Sequence, residues 1–265
     1  STELIGGARN GEVVHDVSLD DAVAELRRGG LVAFPTETVY GLGADATQAE
    51  AVRAIFAVKG RPRSHPLILH VASGGELASF VREVPPAARR LADVLWPGPL
   101  TLVLPRAPGV LDEVTGGRDT VAVRVPRHPL ALALLRGLGR PIAAPSANRF
   151  GAVSPTTADH VRADLAGTDV ALLDGGPCEV GLESTIVGFE EGVPVGLREG
   201  GVPREELEAI LGAPVPTATG EARAPGMLAA HYAPRARVVV ATGDEVLALA
   251  HAAALRGERI EVLGA

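Results

Sequence analysis

Short apolar runs that stop abruptly at proline or glycine recur along this chain, and they limit it to folds built on a sheet. The run 31–34 ends at Pro35 and the run 141–144 leads into Pro145. Further runs at 67–71, 100–104 and 121–125 each have the length of one buried strand. Proline cannot donate to a central ladder, so each stop marks a point where the backbone leaves the sheet. Between these runs, apolar residues recur at helical spacing. Ser18 caps a helix carrying Leu19, Ala22, Val23 and Leu26, which ends at Gly29 and Gly30. Thr47 and Glu50 predict a capping box for a second helix with Val52, Ile55 and Phe56 on its inner face, closing at Lys59-Gly60-Arg61-Pro62. Helices are also predicted over 87–95, 130–138, 156–163 and 204–211, and strands over 170–173 and 184–187. This alternation predicts an α/β fold, and several connections are short enough for antiparallel pairing, so the sheet is expected to be mixed.

From 213 to 225 the chain turns to Pro, Thr, Gly and Ala with little periodicity, which is linker composition. Beyond it, a strand at 238–240, a helix at 245–255 and a strand at 260–263 are too few to close a core. Either this piece docks on the first domain or it is the start of something longer. Apolar residues make up 46% of the chain but aromatics only 3%, so the core is aliphatic and offers few stacking platforms. With 25 Lys and Arg against 32 Asp and Glu, the formal charge of −7 opposes stable binding to nucleic acid. Cys178 is the single cysteine, which excludes an intramolecular disulfide and a multi-cysteine zinc site. No apolar stretch approaches the roughly 18 residues of a membrane span, and no signal-peptide pattern opens the chain, so a cytoplasmic location is expected.

The familiar nucleotide signatures are missing: there is no P-loop, no G-x-G-x-x-G after a strand, no H-E-x-x-H and no C-x-x-C. Lys59 and Arg61, two residues apart in a turn containing Gly60 and Pro62, can converge on a polyphosphate, lysine as a point charge and arginine as a planar fork. An ordinary solvated basic turn fits the same spacing. Thr36, Thr38 and Tyr40 alternate after the first strand, so on an extended segment their hydroxyls face one side and suit a small polar ligand; a threonine-rich turn fits equally. Ser146 and Asn148 can donate to a phosphate or cap the next turn. Ser184 and Arg198 add a hydroxyl and a guanidinium, with a strand hydroxyl and a surface ion pair as the plain alternative. The histidines His65, His70, His128, His160 and His231 have no compact metal-ligand spacing.

Six stretches in order, Lys59-Gly-Arg-Pro with Pro66-Leu-Ile-Leu-His-Val71, Trp96-Pro-Gly-Pro-Leu-Thr101, Val123-Arg-Val-Pro126, Pro145-Ser-Ala-Asn148, Leu182-Glu-Ser-Thr-Ile-Val187 and Leu197-Arg-Glu-Gly200, resemble the motif series of the YrdC/Sua5 family of threonylcarbamoyl-adenylate synthases. The resemblance runs from about Val14 to Leu211, and 225–234, with His231 and Tyr232, is similar to the interdomain linker of the longer, Sua5-type members. It implies a YrdC-like twisted mixed α/β domain with a large concave cavity over 1–212, a linker over 213–236, and over 237–265 the truncated beginning of a small Rossmann-like domain. It further implies Lys59, Arg61, Ser146, Asn148, Ser184 and Arg198 around ATP, with Lys59 and Arg61 catalytic. Thr36, Tyr40, Arg61, His70 and Thr120 are implied around L-threonine, with Tyr232 closing the cavity.

The activity so implied condenses L-threonine, bicarbonate and ATP, with Mg2+ carried on the ATP phosphates and no protein metal site. The product, threonylcarbamoyl-AMP, would pass to a tRNA threonylcarbamoyl-transferase complex that makes threonylcarbamoyladenosine (t6A) next to the anticodon of ANN-decoding tRNAs. Three other readings stand beside it: a carbamoyl-transfer domain of related shape, a double-stranded RNA module using the concavity, and a structural or regulatory protein. The acidic balance opposes the second.

Overall fold

The computed structural model describes residues 13–218, 239 and 241–256. Among these, ten strands form one sheet: β1 (Val14–Asp16), β2 (Val32–Phe34), β3 (Gly41–Asp45), β4 (Ile68–His70), β5 (Leu100–Pro105), β6 (Thr120–Arg124), β7 (Ile142–Ala144), β8 (Val170–Leu172), β9 (Thr185–Glu190) and β10 (Val193–Arg198). Their order across the sheet is β1-β8-β2-β3-β7-β4-β6-β5-β9-β10. The pairs β1/β8, β8/β2, β4/β6 and β5/β9 are parallel, and the rest antiparallel, so the expected mixed sheet is present. The reversal between β2 and β3 follows from connection length, since the turn between them is too short for a crossover helix.

The helices are α1 (Leu19–Arg27), α2 (Ala49–Lys59), α3 (Pro86–Leu95), α4 (Asp112–Thr115), α5 (Pro129–Leu138), α6 (Ala158–Asp164), α7 (Arg204–Leu211) and α8 (Gly243–Leu255). On one face of the sheet α1 and α5 bury Ala22, Val23, Leu26, Leu134 and Leu138 against Val32, Phe34, Ile142 and Ala144. On the other, α2, α3, α6 and α7 join Leu42, Leu69, Leu102 and Val123 in the main core. A third cluster, Ile68, Val103, Ala122, Ile186, Val195 and Leu197, contains no helix residue. Because side chains alternate along a strand, Ile68 lies on the opposite face from Leu69, beside the α1/α5 layer. The layer therefore covers only part of that face, and a concavity opens where it ends.

Several local expectations are corrected. β1 and α4 are too short to stand out in the sequence, β10 is interrupted by Pro194 and Gly196, and 41–45, where no strand was expected, is strand β3. The expected capping box at Thr47 does not form. Asp45 instead takes both the Thr47 N–H at 2.9 Å and its hydroxyl at 2.7 Å, and Gln48 becomes the N-cap of α2. The chain divides into two compact units, Ser1–Tyr232 and Ala233–Ala265. In the second, the expected helix over 245–255 is α8, capped by Thr242, which donates to Glu245. Tyr232, most of the expected linker and, apart from Val239, the expected strands at 238–240 and 260–263 lie outside the described residues.

β3 was hidden because its sequence, Gly-Leu-Gly-Ala-Asp, puts glycine at two of five positions, which lowers strand propensity. The fold needs them. A Cβ on Gly43 would stand 2.7 Å from Ile142 Cγ2 and 2.8 Å from Phe34 Cε1, both packed side chains. Gly43→Ala is therefore expected to destabilise the protein by about 1–3 kcal/mol through overpacking. Urea unfolding should show a lower midpoint at unchanged slope.

Candidate active site

Alternate residues of neighbouring strands form the floor of a cavity. Register places Ile68 beside Ala122 and Ala144, and His70 beside Arg124 and Ile142, so Ile68, His70, Arg124 and Ala144 share one face. Thr36 and Val39 from the β2–β3 connection, Gly41 at the start of β3, Arg61 beyond α2, Pro145 and Ser146 after β7, and Glu183 and Arg198 at the far side complete the lining. Three guanidiniums thus face one carboxylate, Glu183, in a chain whose formal charge is −7. Such a concavity attracts an anion by local field rather than net charge.

Arg61 and Lys59 do not converge. α2 ends at Lys59, and Gly60 adopts the left-handed conformation (φ 64°), which turns the chain away between the two cations. Arg61 reaches the cavity, its Nη2 donating to Pro66 O at 3.1 Å and its guanidinium 5.9 Å from the Phe150 ring. Lys59 is buried beneath the loop after β7 and does not line the cavity. Its Nζ donates to Ser146 O at 2.6 Å and to Asn148 O. Burial, then the Arg61 charge, push this amine down to about 7. A neutral amine has two N–H donors, which these carbonyls occupy.

The loop Lys59 supports brings Ser146 to the cavity while Asn148 stays behind it. Asn148 Nδ2 donates to Arg149 O at 2.8 Å and Ala152 O at 2.9 Å, and its buried Oδ1 has no hydrogen-bond partner among the described residues. Ser184 is likewise not in the lining. Its carbonyl takes Arg198 Nε at 3.0 Å and Nη2 at 2.8 Å, and its hydroxyl meets Thr101 Oγ1 at 2.8 Å, so it holds Arg198 in place.

The segment after β2 is bent rather than extended: the Thr36 and Thr38 hydroxyl oxygens meet at 2.8 Å, and the Tyr40 hydroxyl does not join them. Thr36 lines the cavity, but its hydroxyl donates to Val39 O at 2.6 Å and accepts from the N–H groups of Thr38 and Val39 at 3.2 Å. Tyr40 turns away: its fully buried phenol donates to Gly176 O at 2.8 Å and accepts from Gly175 N–H at 3.2 Å. Thr120 lies at the other end of β6 from the cavity-lining Arg124, opposite Pro105. His70 does line the cavity. Burial, then the Arg124 charge, push its imidazole down to about 3, so it is neutral at pH 7.

Glu37, Arg124 and Glu183 are the functional candidates missed by sequence reasoning. Arg124 donates to Glu37 Oε1 at 2.8 Å in an ion pair whose side chains are 4% and 2% exposed. A signal existed, because an arginine inside the apolar strand Thr-Val-Ala-Val-Arg calls for a buried counterion. Glu183 accepts from Ser154 Oγ and lies 3.7 Å from Arg198 Nη2.

This fold and site define an α/β protein with an arginine-lined anion cavity, and comparison with known proteins gives it relatives. Residues 24–200 match the Sua5/YciO/YrdC family profile, described as telomere recombination, and 202–265 match the profile described as threonylcarbamoyl-AMP synthase, C-terminal domain. The chain belongs to the Sua5/YciO/YrdC family. Over 238 residues it is 48% identical to the threonylcarbamoyl-AMP synthase of Pyrococcus abyssi, covering 88% of this chain and 70% of that one. The Bacillus subtilis protein of the same name is 46% identical over 237 residues, covering 87% and 68%. The structure superposes on that of P. abyssi Sua5 complexed with L-threonine with a TM-score of 0.84 at 44% identity, covering 92% of this chain and 76% of the other.

The Lys59 amine has a thermodynamic consequence. Between about 7 and its ordinary value of 10.5 the unfolded chain binds more protons at this site than the folded one, so the site's contribution to stability rises with pH across that window. Lys59→Met removes this slope. The wild-type minus variant difference in unfolding free energy, measured in urea, should therefore increase as pH is raised above about 7. A flat difference would mean that Lys59 titrates as a solvated lysine.

Proposed function

We propose that this chain is an L-threonylcarbamoyladenylate synthase, a nucleotidyltransferase that joins L-threonine, bicarbonate and ATP into threonylcarbamoyl-AMP and pyrophosphate. The observation that carries the reading is the arginine-lined cavity, in a fold that superposes on a relative determined with L-threonine. The neutral threonine nitrogen attacks the carbonyl carbon of bicarbonate, and loss of water leaves a carbamate. A carbamate oxygen then attacks the α-phosphorus of ATP, forming the mixed anhydride as pyrophosphate leaves. All three substrates present oxyanions, which suit Arg61, Arg124 and Arg198.

The amine must be neutral to attack, and the α-amino group of a free amino acid is largely protonated at pH 7, so placement and proton removal both matter. His70 is too weak a base for that role at about 3, whereas Glu183 is the one carboxylate in the lining. Among the described residues no cluster of three His, Cys, Asp or Glu side chains could hold a metal ion. Mg2+ would therefore enter on the ATP phosphates, with Glu183 as at most a single protein ligand, and would supply charge neutralisation during phosphoryl displacement.

In this reading Lys59 acts through the Ser146 loop, Ser184 through Arg198, and Arg61 on substrate directly. The adenylate would be consumed by a tRNA threonylcarbamoyl-transferase complex that makes t6A. Among the described residues no helix is long and apolar enough to cross a membrane. A carbamoyl-transfer domain of related shape would act without threonine.

The test incubates the protein with ATP, Mg2+, bicarbonate and L-threonine and measures pyrophosphate and the adenylate by mass. Threonine-dependent adenylate is expected; folded protein that makes none, or makes it without threonine, sinks the assignment. Arg61→Ala should lower kcat/KM by about a hundredfold or more, the cost of removing a charged donor from a developing oxyanion, with the fold intact by circular dichroism.

A further inference from the structure

Behind the cavity wall, Glu37 uses both carboxylate oxygens. Oε1 takes Arg124 Nη2 at 2.8 Å, and Oε2 takes the Arg127 N–H at 2.9 Å. Burial alone would raise this carboxyl, but the Arg124 charge and hydrogen bond, with the Arg127 N–H, outweigh it and hold the group below its ordinary value, so it is ionised. Arg124 Nη2 also donates to Thr38 Oγ1 at 2.9 Å, and Nε to Gly98 O at 3.3 Å. None of the hydrogen bonds among the described residues uses Nη1, and the guanidinium lines the cavity.

The direction of the adjoining hydrogen bonds follows from donor counting. Val39 O can only accept, so the single Thr36 hydroxyl hydrogen lies on it, at 2.6 Å. Thr36 Oγ1 must then be the acceptor in its 2.8 Å contact with Thr38 Oγ1. Thr38 therefore donates to Thr36 while accepting from Arg124. One directed chain runs from the guanidinium to the turn that borders the cavity. Every hydrogen in it is committed except those on Nη1.

We propose that Glu37 is a positioning residue: by anchoring Arg124 from behind, together with the Thr38–Thr36 hydroxyl chain, it aims the two Nη1 donors at a carboxylate-type oxyanion of the substrates. That oxyanion is either the carboxylate of the amino acid or bicarbonate, which share the geometry a guanidinium edge recognises. Thr36, its hydroxyl consumed within the turn, offers the cavity its methyl group. The inference rests on the synthase reading above and deepens it by assigning Arg124 a substrate and Glu37 a role through Arg124.

Glu37→Gln tests it with shape nearly unchanged. An amide keeps only one acceptor, so its NH2 must oppose either Arg124 Nη2 or the Arg127 N–H. KM values for L-threonine, bicarbonate and ATP are measured separately on wild type, Glu37→Gln, Thr38→Val and Thr38→Ser. The expected result is a rise of about tenfold or more in KM for threonine or for bicarbonate in Glu37→Gln, with KM for ATP within about twofold. Thr38→Val should shift the same KM by less, and Thr38→Ser, which keeps the hydroxyl, should restore it. A threonine effect identifies the amino-acid carboxylate as the Nη1 partner, and a bicarbonate effect identifies bicarbonate. A merely structural ion pair would lower the amount of active enzyme and leave every KM unchanged. That pattern, or an ATP KM that rises with the others, overturns the proposal.

Calorimetric titration of folded wild type and of whichever variant folds, with L-threonine and with bicarbonate, separates this inference from the function reading. A wild type that makes no adenylate removes the assigned activity. Binding of one oxyanion to wild type that is lost in Glu37→Gln or Thr38→Val would still support the positioning role, and equal binding, or none to wild type, overturns it.

Discussion

A carboxylate and a guanidinium buried side by side tie the β2–β3 turn to the end of β6, and the cavity is built around that tie. Burying two charges is costly, and the pair is stable because its geometry is close and its remaining donors and acceptors are used. Breaking such a pair from one side costs about 3–5 kcal/mol, since the survivor is left buried without compensation. The turn is thereby held at one position relative to β4 and β6. That position determines where Thr36 and Val39 meet His70 and Arg124.

The same division of roles recurs around the site. A side chain that faces the cavity is held by one that does not: Ser184 grips Arg198, Lys59 carries the backbone of Ser146, and Glu37 anchors Arg124. Residues in the supporting set are buried, so a substitution there acts on geometry before chemistry. The left-handed turn at Gly60 assigns Lys59 and Arg61, neighbours but one in the chain, to different sets. Local preorganisation of this kind suits electrostatic catalysis, in which donors must already point at the place where charge will grow.

The sheet supplies room for the site by incomplete coverage. Two helices pack one part of a face, while the cluster of Ile68, Val103, Ala122, Ile186, Val195 and Leu197 contains no helix residue. A cationic pocket at that boundary coexists with an acidic surface because field in a concavity depends on nearby charges and low-dielectric walls rather than on the total. An anionic substrate can thus be bound by a protein that carries a net charge of its own sign.

Much of this was legible in the residues alone. Strand ends at Pro35 and Pro145, the helix from Leu19, the helix over Arg204–Leu211 and the mixed character of the sheet follow from periodicity and from stop residues, which act locally. Thr36, Arg61, His70, Ser146 and Arg198, all singled out in the sequence, line the cavity. Strand β3 was illegible because its glycines answer to Phe34 and Ile142 on the neighbouring strands, the second of them about a hundred residues away in the chain. The burial of Lys59, the inward turn of Tyr40 and the pairing of Glu37 with Arg124 were equally out of reach. Spacing along a chain can say which side chains carry charge or hydroxyl groups, and so which chemistry is available. Whether such a group meets substrate or holds a neighbour depends on contacts between segments nearly ninety residues apart, which only the packed sheet creates.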